Sequence, residues 1–134
     1  MEIPQELRDA VEKISIIKHN DIIKEAQSIS KKYRENDGKG NKLVTKKSEA
    51  IAYAIARMPA TYCAVYTALS QTLKKYKHNI NSVLDVGAGT GAATWAITNL
   101  IDVEQITCFE REAEMRKVGK QLMERKHKCR MEAN

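Results

Sequence analysis

"VLDVGAGTGAATWA", residues Val83 to Ala96, decides the reading of this chain. An apolar run carries one carboxylate, Asp85, into three alternate glycines, Gly87, Gly89 and Gly91, with Ala88 and Thr90 between them. Small residues then continue as if opening a helix. Glycines between a strand and a helix permit a tight turn and let a ligand approach the backbone with no Cβ in the way. N–H groups at the helix start face the same spot. The segment therefore reads as a strand, a ligand-binding turn and a helix.

A second stretch supports that reading. "QITCFE" is another short strand, and its last residue, Glu110, lies 19 residues beyond Gly91. A carboxylate about 20 residues past such a turn is placed to hold a ribose. Arg111 follows it directly. Two adjacent strand ends would thus grip one nucleoside. The glycines also read as G-x-G-x-x-A, a dinucleotide pattern, and Asp85 argues against that ligand. A carboxylate beside the turn repels a pyrophosphate, whereas S-adenosylmethionine carries a sulfonium and an ammonium group. S-adenosylmethionine is accordingly expected over a nicotinamide or flavin dinucleotide. Two plainer roles stay open: Asp85 can cap its own turn, and Glu110 can be a helix-start charge.

Around these strands the chain divides. Residues 1–78 read as helices: Leu7, Val11, Ile14 and Ile17 follow Pro4 at helical spacing, and Ile22, Ala26, Ile29 and Tyr33 repeat it behind a cap at Asn20 or Asp21. Glu35 to Lys42 has the composition of an exposed loop. A third helix is expected from Thr45 to Met58, broken by Pro59. A fourth carries Tyr62, Val65, Tyr66, Leu69, Leu73 and Tyr76 as its stripe. Residues 79–134 then alternate strand and helix, with a final helix from Arg111 to about Lys128 that turns Met115, Val118 and Leu122 inward. The expected fold class is α/β: a helical N-terminal region, then the first βαβα of a doubly wound parallel sheet.

Composition sets outer limits. The 134 residues are 43% hydrophobic and 30% charged, with two prolines and six glycines, which suits a folded domain rather than a disordered chain. No apolar run approaches the ~20 residues of a membrane span, and the acidic, amphipathic "MEIPQELRDAVEK" is no signal peptide. Cys63, Cys108 and Cys129 match no metal or redox spacing, so no metal and a reducing, cytoplasmic setting are expected. His19, His78 and His127 are isolated; none is placed as a metal ligand or a catalytic base. Trp95 reads as core packing. Residues 1–78 hold 15 Lys/Arg against 9 Asp/Glu, and residues 79–134 hold 8 of each, so the whole net charge of +6 sits on the helical region. Such a face suits RNA or is simply a solvated helix surface.

"AYAIARMPATYCAVYTAL", Ala52 to Leu69, crowds Tyr53, Arg57, Met58, Pro59 and Tyr62 around a helix break upstream of the glycines. With "SVLDVGAGTGAATWA" behind it, this stretch resembles the small-ribosomal-subunit methyltransferase-like proteins, known from mitochondria, whose bacterial members are called ribosomal RNA methylases. The likeness covers about residues 45–112. It implies a Rossmann-like class I methyltransferase fold, S-adenosylmethionine as cofactor, and ribosomal RNA or the small ribosomal subunit as partner. It places Asp85, Gly87, Ala88, Gly89, Thr90, Gly91, Glu110 and Arg111 at the cofactor, with Tyr53, Arg57 and Tyr62 closing the pocket from the helical side. The plainer alternative, that Pro59 kinks two helices and Tyr62 packs beneath them, stays open. Mitochondrial members carry a downstream cysteine cluster resembling an iron–sulfur site, and the three cysteines here do not reproduce it. The resemblance and the short sheet together suggest the N-terminal part of a longer methyltransferase, inactive by itself. Two parallel strands would leave open edges, so a homo-oligomer is expected.

Overall fold

The computed structural model describes residues 2–15, 19–35, 46–124 and 129–132. Four helices come first: α1 (Gln5–Ile14), α2 (His19–Glu35), α3 (Lys47–Ala56) and α4 (Met58–Lys75). The remainder alternates as β1 (Ser82–Val86), α5 (Ala92–Leu100), β2 (Gln105–Phe109), α6 (Ala113–Leu122) and β3 (Cys129–Glu132). Residues 36–42 of the expected loop, the Thr45 helix start, Ile17, His127 and the expected helix end at Lys128 lie outside the described residues, as do the side chains of Asn20, Asp21, Ile22, Tyr33 and Cys129.

The helix break falls where Pro59 requires it. Arg57 is a turn residue between α3 and α4, and Pro59 stands in the first turn of α4, where its missing N–H costs nothing. The stripe of α4 departs from expectation at its end. Tyr62 is buried, but Tyr76 leaves the helix in an extended conformation and is 49% exposed.

All strands are parallel, in the order β1-β2-β3. Asp85 is aligned with Cys108 across the first pair, and Cys108 with Met131 across the second. Two corrections follow. The expectation of two strands misses β3, a four-residue strand whose only buried large apolar side chain is Met131. So short a strand has no periodic signal of its own; the unpaired edge of β2 recruits it. The final helix is also shorter than Arg111–Lys128, although Met115, Val118 and Leu122 point inward as expected.

One face of the sheet carries the core. Helix α4 lies along α5, and α1 and α3 pack on α6. Leu7, Ile29, Ile51 and Met58 from the helical region join Trp95, Ile106, Met115 and Val118 in one cluster, so the core is continuous across position 79. On the opposite face β1 is uncovered among the described residues, while Thr107 and Phe109 of β2 are partly buried. Leu84 and Val86 are 62% and 69% exposed, so β1 alternates in burial instead of being enclosed on both sides.

Candidate functional site

The glycine turn is tied to the end of β2 by its own backbone. The N–H groups of Gly87 and Ala88 both donate to the Phe109 carbonyl, at 2.9 and 3.0 Å. Gly91 donates to Ala88 at 2.9 Å and, with φ of +94°, starts α5 from the left-handed region. A Cβ on Gly91 would sit 2.9 Å from the Met123 methyl, so this glycine serves packing. Gly87 differs: its φ is +71°, and a Cβ there would meet nothing within 4 Å. It is the glycine that opens onto space.

Glu110 completes the turn. Its carboxylate accepts the Gly89 N–H at 2.7 Å through one oxygen and the Glu112 N–H at 2.9 Å through the other. The residue is only 7% exposed. Glu112 stands at the N-cap position of α6 and its side chain makes no capping bond there. Glu110, holding the Glu112 N–H, thus joins the helix-start role weighed in the sequence to a brace for the glycine turn. The Arg116 guanidinium donates to the Glu110 carbonyl at 2.6 Å and holds the same junction. Arg111 lies beside it, exposed.

Asp85 sits at the end of β1, half-buried, and accepts the Thr94 hydroxyl at 3.0 Å. The Thr94 N–H donates to it as well, so Asp85 caps the first turn of α5. Burial raises its pKa above the usual 3.8; the Thr94 hydrogen bonds oppose this, and repulsion from Glu110 adds to it. Thr94 also lies 3.1 Å from the buried Cys108 sulfur, which joins β2 to the same polar chain.

The helical region contributes from above. The Tyr53 hydroxyl lies 3.7 Å from where a Gly89 Cβ would be. Burial raises its pKa; a hydrogen bond with Thr61 and the Arg57 charge oppose that, and Glu110 and Glu112 reinforce it. Arg57 follows one turn later, its N–H on the Tyr53 carbonyl. Met58 reaches the turn directly, its sulfur accepting the Thr90 hydroxyl at 3.1 Å. Thr90 is 1% exposed and faces the helical layer. Tyr62 is not part of this group: its hydroxyl accepts from Asn99 of α5 at 3.2 Å, and its ring lies 5.8 Å from that of Tyr66. It packs α4 onto α5, the plainer of the two roles that the sequence left open for it. The brace on Gly89, and Thr94 and Met58 as its supports, had no motif to reveal them.

A separate cavity of about 410 Å³ lies between α1 and the α5–α6 side, lined by Glu6, Asp9, Lys13, Trp95, Leu122 and others. It does not include the glycine turn. Among the described residues no cluster of His, Cys, Asp and Glu could hold a metal, and no helix is long and apolar enough to cross a membrane.

Chemically, the turn spends its donors inward. The N–H groups of Gly87, Ala88, Gly89 and Gly91 all donate within the protein. Two carboxylates flank the opening at Gly87. Such a site suits a ligand that is cationic or rich in hydroxyl groups, and gives a dianion little to bind.

This strand–turn–helix arrangement on a parallel sheet is that of a Rossmann-like fold. A candidate S-adenosyl-L-methionine-dependent methyltransferase of Methanococcus maripaludis superposes with a TM-score of 0.53 at 15% identity, over 70% of this chain and 44% of that one. A candidate RNA methyltransferase of Pyrococcus horikoshii gives 0.43 at 25% identity, over 57% and 38%. The chain spans 30% to 49% of the length of four similar solved structures. No curated protein matches it. Residues 47–134 match the family described as mitochondrial small ribosomal subunit Rsm22, and the chain belongs to that family.

Proposed function

We propose that this chain binds S-adenosylmethionine at the glycine turn and is part of an enzyme that methylates ribosomal RNA of the small subunit. One observation carries the cofactor choice: the N–H groups of Gly87, Ala88, Gly89 and Gly91 are consumed internally while Asp85 and Glu110 stand beside the turn. A pyrophosphate would find repulsion in place of donors. The residues fit the cofactor at Gly87, where the backbone faces open space, and at Asp85, which is half-buried beside it. Ala88, Gly89 and Glu110 form the adjoining wall, Tyr53 and Arg57 the helical side, and Thr90 and Gly91 set the shape of the turn. Arg111 stands at the rim. The bound cofactor supplies an electrophilic methyl group on a sulfonium; the chain's own residues hold and orient the donor. No catalytic base is assigned.

The RNA half of the proposal rests on family membership and on the basic helical region, residues 1–78, set before the cofactor-binding part, residues 79–134. The cytoplasm is retained as the compartment, on the thiols Cys63 and Cys108. The self-association expected from open strand edges would pair a second copy along an edge of the β1-β2-β3 sheet, which sedimentation would read. A second reading, an RNA-binding assembly factor without catalysis, is favoured by Glu110, whose two oxygens are both engaged by backbone.

The test is a calorimetric titration with S-adenosylmethionine and with NAD in parallel, on the chain and on Gly87→Ala. Heat from the first ligand alone, lost in the variant, supports the methyltransferase reading. Heat from NAD overturns the cofactor choice. Silence from a folded chain favours the assembly-factor reading.

A further inference from the structure

The end of α4 farthest from the glycine turn carries a surface with no role in the cofactor site. Lys74, Lys75, Tyr76, Lys77 and His78 are consecutive and all exposed. Tyr76 is one of three large apolar side chains that stand out of the described structure, and its ring meets that of His78 at 5.3 Å, edge to face. No Asp or Glu occurs between Glu49 and Asp85 in the sequence. None of the three lysines is in an ion pair among the described residues. Asp102 and Glu104, exposed on the approach to β2, belong to this end of the sheet; the Glu104 N–H donates to the Asn81 carbonyl at 2.8 Å. They bound the patch on that side.

The helix dipole accounts for Lys74 and Lys75, which lie in the last turn of α4. It does not account for Lys77 and His78 beyond the helix, or for a tyrosine ring held out in water. Cations beside an exposed aromatic pair at a helix end suit unpaired bases: the rings stack on bases while the lysines meet phosphates. Duplex bases are stacked on each other and offer no face to Tyr76.

The position matters as much as the composition. Met58, the first residue of α4, touches Thr90 in the glycine turn. The 18 residues of α4 then run about 27 Å to the patch. A strand held there leaves the opening at Gly87 uncovered. We propose that Lys74, Lys75, Tyr76, Lys77 and His78 form a single-stranded RNA contact that anchors the partner at a distance from the cofactor turn. The inference shares its RNA with the function proposed above but not its cofactor site, so the two fail separately.

The experiment is fluorescence anisotropy of a labelled ten-nucleotide oligouridine with the full chain, without S-adenosylmethionine. Tyr76→Ala is expected to weaken binding about fivefold or more, the lower end of one base–aromatic stack, with Tyr76→Phe close to wild type. The triple substitution Lys74→Ala, Lys75→Ala and Lys77→Ala should reduce the slope of log K against log salt by about 2. A charge-matched control, Lys13→Ala with Lys46→Ala and Lys120→Ala, should weaken binding less than the patch triple. Thermal melting confirms that each variant folds. A loss under fivefold in Tyr76→Ala overturns the proposal. So does a control triple as damaging as the patch triple, equal affinity for a duplex of the same length, or no binding by the wild-type chain at low salt.

Discussion

Replacing Glu110 by glutamine is the sharpest test of how the site is built. The carboxylate accepts two backbone N–H groups, from Gly89 at 2.7 Å and Glu112 at 2.9 Å, and is 7% exposed. A glutamine has one acceptor oxygen and an NH2 group, so one of those N–H groups would face a donor. The variant loses a charge-assisted hydrogen bond, about 1.5–3 kcal/mol, and strands a buried N–H, about 1–3 kcal/mol. The two contributions overlap, and about 3 kcal/mol in all is expected for Glu110→Gln. For a chain of this size that lowers Tm by roughly 10 °C. Chemical denaturation at pH 7 measures it, with an unchanged m-value as the sign that the native state is otherwise intact. A loss under about 1 kcal/mol would refute the reasoning, since the carboxylate would then not be bracing the turn. The result also bears on ligand experiments. A Glu110 variant that binds no cofactor has not isolated a ribose contact, because it has loosened the turn as well; Gly87→Ala is the cleaner probe.

Gly87→Ala and Gly91→Ala should each cost about 1–2 kcal/mol of backbone strain by thermal unfolding, since the Met123 methyl that a Gly91 Cβ would meet ends a flexible side chain and moves aside cheaply. The two should separate in ligand binding, which Gly87→Ala is expected to weaken more. Asp85→Asn keeps an oxygen for the Thr94 N–H, its NH2 can donate to the Thr94 hydroxyl, which turns to accept, and it removes a carboxylate whose pKa is raised by burial. The folded protein holds that proton more tightly than the unfolded chain, so wild-type stability falls as pH rises from about 3.8 through the raised value. Asp85→Asn should therefore match or exceed wild-type stability at pH 7 and lose any advantage below that window, measured by denaturation against pH. Tyr62→Phe breaks only the Asn99 bond, costing about 0.5–1.5 kcal/mol, and should leave S-adenosylmethionine binding unchanged in calorimetry. Tyr53→Phe, over Gly89, should weaken that binding, and equal effects from the two tyrosines would contradict their separation.

What the sequence determined alone was local and periodic. Three glycines between an apolar run and a small-residue helix specify a strand–turn–helix by backbone sterics. Helical spacing of Met115, Val118 and Leu122 fixed the inward face of α6, and Pro59 fixed the break before α4, because each acts within a turn or two of its own position. Tertiary structure decided the rest. Strand β3 has too few apolar residues to announce itself and exists through pairing with β2. Leu84 and Val86 belong to the apolar run yet stand exposed, because a sequence shows that a side chain is apolar, not whether anything covers it. Tyr53 and Tyr62 stand on either side of one helix break and look alike in sequence. Only the packing of α4 on α5 sends one to Asn99 while the other lies over Gly89. The same limit applies to Glu110: spacing placed it at the end of β2, but its hold on the Gly89 N–H depends on two chain segments meeting, which no periodicity encodes.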